Sequence, residues 1–265
     1  MRLAAHRWPA TLDAGRPTVL LLHGVTASSR TWWRIGTEVA ARGWQALALD
    51  LRCHGESRCA DVERPNDLSE DVSETLVAEL GDGRVDVAWG HSLGARTVMQ
   101  LLRDHPDAAN RAVLEDPPGA PRGDRREAIE AWRDENALAR TDPAAFRVAQ
   151  RRDNPDWDDR DIDENVVSVA SCRIETIIAA YESGFNEDQG AQNLVPHLSV
   201  PALLVLADED RSALTGEDRA ATISRLPAGS TVLDVAGGHT LHRDAPAPYL
   251  AGVFDWLGAP QPTRW

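Results

Sequence analysis

The chain has 265 residues, 42% of them hydrophobic, enough for one sizeable core with a smaller appended lobe. Its net charge is −14 and all 28 basic residues are arginine; so acidic a surface repels phosphate backbones and anionic lipid, which argues against nucleic acid or a membrane as partner. Three cysteines without a CxxC pair (Cys53, Cys59 and Cys172), an N-terminus with no apolar signal core and no apolar run near the about 20 residues that span a bilayer point to free thiols and a cytoplasmic location.

Read in chain order, short apolar runs at 18–22, 45–49, 85–89 and 111–114 predict strands, and helical spacing predicts helices over 31–42, 68–80 and 93–104. After residue 200 the rhythm resumes, with strands at 202–206 and 231–235 and helices at 218–226 and 247–256. Several strands are unbroken blocks of Val, Leu and Ala, as in strands covered on both faces. The alternation predicts an α/β protein with a mostly parallel central sheet flanked by helices, binding its ligand at the carboxyl ends of the strands. Residues 117–200 carry no strand signal and are too long for an ordinary loop. Helical spacing over 128–138, and a stripe of Ile162, Val166, Val169, Arg173, Ile177 and Tyr181, predict a helical lid inserted into a core made of residues 1–116 and 201–265. The acidic stretch at 151–165 lacks the glycine and terminal glutamate of a calcium loop and reads as a solvated turn and helix N-terminus; no metal and no cofactor is expected.

The chemistry centres on GHSLG at 90–94, between a strand and a helix. Glycines two residues either side of Ser92 permit a sharp turn that lifts the hydroxyl into the open, with the Leu93 amide beside it. A serine needs a base to take its proton. Of eight histidines, His239 follows a Gly–Gly pair just after the last strand, which suits it to reach the elbow; His242, three residues on, is the competitor. A carboxylate must orient the imidazole. Two strand ends offer one: LEDPP gives Glu115 and Asp116, and LADEDRSAL gives Asp208 and Asp210; spacing does not choose between them. For the oxyanion, the turn after His23–Gly24 offers the Val25 amide.

Together these parts resemble the α/β-hydrolase superfamily, in particular the lidded branch with esterases, lactonases, C–C bond hydrolases and cofactor-free haloperoxidases. The resemblance rests on LLLHG with Trp32 downstream, DLRCHGES at 50–57, GHSLG, PALLVLADED at 201–210 and GGHTLHRDAP at 237–246, in the family's order. It implies a lid after strand six of the family's count, Ser92 as nucleophile, His239 as base, and Val25 and Leu93 amides as the oxyanion hole. It favours Asp210, three residues after Ala207 at the end of strand seven, as the acid, with Asp116 at the end of strand six as the alternative used in some branches. Cys53 stands where such loops carry glycine. The lid aromatics Trp132, Phe146, Trp157, Tyr181 and Phe185 suggest an apolar pocket, with Trp132 and Tyr181 as substrate-binding residues. The expected activity is hydrolysis of a small ester or lactone, with C–C bond hydrolysis, perhydrolysis or ligand binding without turnover as the alternatives.

Overall fold

The computed structural model describes residues 1–9, 11–13, 15–61, 64, 66–120, 126–182 and 189–260. Seven strands make one sheet: β1 (Ala5–Trp8), β2 (Thr18–Leu22), β3 (Gln45–Leu49), β4 (Val85–His91), β5 (Ala109–Glu115), β6 (Ala202–Leu206) and β7 (Thr231–Asp234). They lie side by side in the order β1-β3-β2-β4-β5-β6-β7. Every neighbouring pair is parallel except β1 and β3, which run antiparallel with Ala5 opposite Leu49. The strand ending in LEDPP, sixth by the family's count, is therefore the fifth of those described. The short edge strand β1 escapes sequence reading because AHRW is half-buried and half-polar.

Leucine and alanine dominate β2, β3 and β6, although both are helix formers. Burial decides. Each fully buried Leu contributes about 2 kcal/mol, against a total β-propensity spread of about 1 kcal/mol. Alternate residues supply two separate cores. Leu20, Leu22, Leu47, Leu49, Leu114 and Leu204 face α2 (Asp67–Leu80), α3 (Leu93–Asp104) and α8 (Ala191–Leu194). Val19, Leu21, Trp89, Val113, Leu203 and Val205 face α1 (Trp33–Ala41) and α11 (Pro246–Leu257). With both faces apolar, the strands read as continuous runs rather than as an alternation.

Between β5 and β6 stand α4 (Arg126–Thr141), α5 (Pro143–Asp153), α6 (Asp159–Ser171) and α7 (Ile174–Glu182), followed by α8; α9 (Gly216–Ser224) and α10 (Leu241–Asp244) flank β7. The single stripe expected over 162–181 is two helices. Cys172 is extended (ψ 137°), the Arg173 amide leaves the helix to donate to the Cys53 carbonyl, and Asn136 Nδ2 takes up the Val169 and Cys172 carbonyls that the break exposes. In the acidic stretch, Asp158 caps α6 by accepting from the Arg160 amide. Asp161 is not solvated: it is 2% exposed and bonded to Trp33 and Arg34. Among the described residues no helix is long and apolar enough to cross a membrane.

Candidate active site

Ser92 is the single residue between β4 and α3, and its φ of 51° lies in the left-handed region. A side chain there costs of order 1–3 kcal/mol. The surroundings hold it: the Ser92 amide donates to the Glu115 carbonyl at 2.9 Å, and its own carbonyl accepts from Arg96. Both flanking glycines are required by close approach. A Cβ on Gly90 would stand 2.3 Å from the Gly94 carbonyl carbon, and one on Gly94 would stand 2.0 Å from the Leu22 carbonyl oxygen. The expectation that the turn lifts this residue into the open is corrected: Ser92 is buried, 7% exposed.

His239 sits on the loop between β7 and α10. Its Nδ1 lies 2.6 Å from Asp116 Oδ2. A carboxylate accepts, so Nδ1 carries the proton and Nε2 is left with a free lone pair. The His91 ring, next to the serine, lies 4.7 Å from the His239 ring, and His91 Nε2 is 2.9 Å from the His239 carbonyl. A carbonyl has no proton to give, so His91 donates. Burial, first of all, holds His91 well below its ordinary pKa, so it works as a neutral donor. The His239 side chain is 36% exposed and opens on a cleft of about 590 Å³ shared with Trp157, Arg211, Gly237, Gly238 and Asp244.

The preference for Asp210 is corrected by this geometry. Asp210 is exposed in the turn after β6 and does not bond His239. In that turn it is Asp208 that faces the histidine loop, accepting from the Gly237 amide at 3.2 Å and pairing with Arg211. Asp116 is wholly buried, also in left-handed backbone (φ 39°), and accepts from Ser212 Oγ and the Ala213 amide besides His239. The competitor His242 bonds Glu115 instead, is 3% exposed, and is pushed down to about 3 by burial.

The loop after β2 passes close to the elbow: a Cβ on Gly24 would stand 2.7 Å from His91 Nδ1 and 3.5 Å from Ser92 Cβ. Among the described residues no acceptor takes the Val25 or the Leu93 amide. The expectation of free thiols is corrected for two of the three cysteines. Cys53 and Cys59 form a disulfide, because the loop doubles back with the Cys53 amide bonded to the Arg58 carbonyl. Cys172 alone is free and buried. The cytoplasmic location loses the part of its support that rested on free thiols. Cys53 has φ 67°, which explains why a glycine suits that position.

Of the aromatics, Trp132 and Tyr181 meet edge to face at 5.1 Å, and Tyr181 packs with Val25, Cys53, Cys172 and Ile177. The Arg96 guanidinium lies 5.8 Å from the Tyr181 ring. Phe146 belongs to the helical segment's own core with Ala139, Val166 and Val169. Trp157 lines the cleft beside His239 and donates to Asp244. Phe185 lies outside the described residues. Sequence reasoning missed the pairing of Glu115 with His242 and the role of His91. The only signal was the tandem Glu115–Asp116 set against two histidines three residues apart.

Comparison with known proteins agrees with the fold. Residues 19–251 match the model of an alpha/beta hydrolase family. The Mycobacterium tuberculosis lipase LipV is 30% identical over 258 residues, covering 92% of this chain and 95% of that protein. Among solved structures, the N-formylmaleamic acid deformylase of Pseudomonas putida S16 superposes with a TM-score of 0.73 at 22% identity, over 90% of this chain and 92% of that one. The enol-lactonase of Burkholderia xenovorans LB400 gives 0.72 at 18% identity, over 97% and 96%. With a family match over most of its length and a serine turn between strand and helix, this chain belongs to the alpha/beta hydrolase family.

Proposed function

We propose that the protein is a serine hydrolase that cleaves a small, largely apolar carboxylic ester or lactone through an acyl-enzyme. Ser92 Oγ attacks the carbonyl carbon while His239 Nε2 takes its proton. Asp116 holds the ring in the tautomer with Nδ1 protonated and stabilises the imidazolium. The amides of Val25 and Leu93 receive the oxyanion, a contribution of about 3 kcal/mol per donor in such sites. His239 then protonates the leaving alkoxide, and a water activated by the same nitrogen releases the acid. The exposed side of His239 on the neighbouring cleft gives that water its route. Residues 117–200 act as the lid, and Tyr181, which packs on the same small cluster as Val25, lines the acyl side of the pocket with Trp132 against it.

The observation that carries this reading is the 2.6 Å contact between His239 Nδ1 and the buried Asp116, with the His239 ring 4.7 Å from that of His91, the residue before Ser92. Tests use p-nitrophenyl acyl esters and short lactones with the wild type and Ser92→Ala. Turnover by the wild type that vanishes in Ser92→Ala supports the reading. Equal turnover by both overturns it.

A further inference from the structure

Directly before Asp116 lies a second buried carboxylate that the mechanism above does not use. Glu115 is wholly buried. Neighbouring residues at a strand end splay to opposite sides, so Asp116 reaches the ring of His239 while Glu115 reaches His242. Three donors converge on the Glu115 carboxylate. The His242 amide lies 3.0 Å from Oε1; His242 Nδ1 lies 2.9 and 3.0 Å from the two oxygens; the Tyr249 hydroxyl, from α11, lies 2.8 Å from Oε2. Trp89 Nε1 in turn donates to the Tyr249 oxygen at 2.7 Å. Trp32 stacks on the His242 ring at 4.7 Å. Burial drives the Glu115 carboxyl upward, and the converging donors oppose that drift.

The backbone of the same residue holds the other half of the site, since the Glu115 carbonyl accepts from the Ser92 amide. The short segment 239–242 is therefore pinned at its first residue, by Asp116 on the ring and His91 on the carbonyl, and at its last, by Glu115 on both amide and ring. Nothing in the fold alone requires two successive carboxylates to grip two histidines one helical turn apart. An apolar pair would fill the space without the cost of burying a charge.

We propose that Glu115, with His242 and Tyr249, is a positioning device for the reaction: it sets the distance between His239 Nε2 and Ser92 Oγ by fixing the histidine segment to the strand end that also holds the serine. This rests on the assignment of Ser92 and His239 given above. Glu115 touches no substrate and transfers no proton to it; its effect passes through His239.

The test compares Tyr249→Phe, which removes one oxygen from the network, with Val253→Ala, which thins the packing of the same helix and leaves the network whole. The readouts are kcat and KM on p-nitrophenyl acetate, the melting temperature, and the low-field proton resonance of His239 Nδ1, assigned by its loss in Asp116→Asn. Tyr249→Phe should lower kcat about 10- to 100-fold with little change in KM, and should broaden or shift the His239 resonance. Val253→Ala should lower the melting temperature and leave kcat and the resonance unchanged. Should Tyr249→Phe not fold, Glu115→Gln carries the same comparison. A network variant with wild-type kcat and an unmoved resonance overturns the proposal. If the wild type turns over no ester, yet the resonance moves in Tyr249→Phe alone, the positioning stands and the hydrolase reading falls.

Discussion

The side chain of Asp116 meets His239 from the end of β5, whereas Asp210, one strand later in the chain, stays in solvent on the turn after β6. The two aspartates therefore differ in what their loss does. In Asp116→Asn the amide donates where a carboxylate accepted, so His239 is held in the wrong tautomer, and kcat should fall by about four orders of magnitude. Asp210→Asn changes an exposed side chain and should leave kcat within about twofold. Steady-state assays of the two variants on one aryl ester check this, and a loss confined to Asp210→Asn would return the acid to the turn after β6.

The legible and illegible parts of this site differ for a physical reason. The position of Ser92 at a strand-to-helix turn was readable because a strand, a tight turn and a helix leave a local signature in glycine spacing, and the loop of His239 because a glycine pair precedes it after the last strand. The aspartate that meets His239 was not readable. Asp116 follows one strand end and Asp210 the next, and which of them reaches the histidine is a tertiary outcome that neither local sequence carries. The same limit hid the Cys53–Cys59 disulfide, since six residues of separation say nothing about a doubled-back loop. The strands were legible because burial on two faces forces their composition. The break at Cys172 was not, because its cause, Asn136, comes from another helix.

The disulfide gives a chemical count. Cys172 is free, buried and pushed up to about 12 by burial, so it is inert in the folded state. Thiol titration of unreduced, denatured protein should find one thiol per chain, and three after reduction; three without reduction would remove the bond. Closing so short a loop contributes about 2 kcal/mol, so Cys59→Ser should lower the melting temperature by about 5 °C. Because Cys53 belongs to the cluster against which Val25 packs, and the proposed mechanism gives the Val25 amide to the oxyanion, kcat should fall as well while KM changes little.

The helical segment is fastened to the stretch that follows β2 and to the first turn of α1. Ser168 bonds Ser28 at 2.6 Å, Glu164 pairs with Arg30, and Asp161 accepts from the Trp33 indole at 2.7 Å and from Arg34 at 3.0 Å. All three come from one face of α6. Asp161→Ala leaves the Trp33 N–H buried without its acceptor and Arg34 without its pair, a loss of about 2–4 kcal/mol. Hydrogen exchange should show α6 amides losing protection in that variant, while β4 and β5 keep theirs. Unchanged protection across α6 would mean that the segment is held by packing alone.

Acid should unfold the protein earlier than its carboxylates alone would require. His242 and His54 are both pushed down to about 3, first by burial, and are neutral in the folded state. Unfolded, each takes a proton near its ordinary value of 6.5. Between those limits the unfolded chain binds more protons, so stability falls as pH falls, by about 1.4 kcal/mol per pH unit for each histidine. Glu115 acts with the opposite sign. Its folded value is raised by burial, so from its ordinary 4.5 up to that value the folded state holds the extra proton and is favoured as pH falls. His91 and His23, lowered first by burial as well, act in the same direction, so one carboxyl opposes several histidines and the histidines win. Melting temperatures taken from pH 7.5 to 5.0 should decline steadily from about 6.5 downward, and the decline should be shallower in His54→Gln, which removes one of these buried rings. A flat profile over that range would mean that one or more of these rings are protonated in the folded protein, and His242 would then face Glu115 as a charged pair.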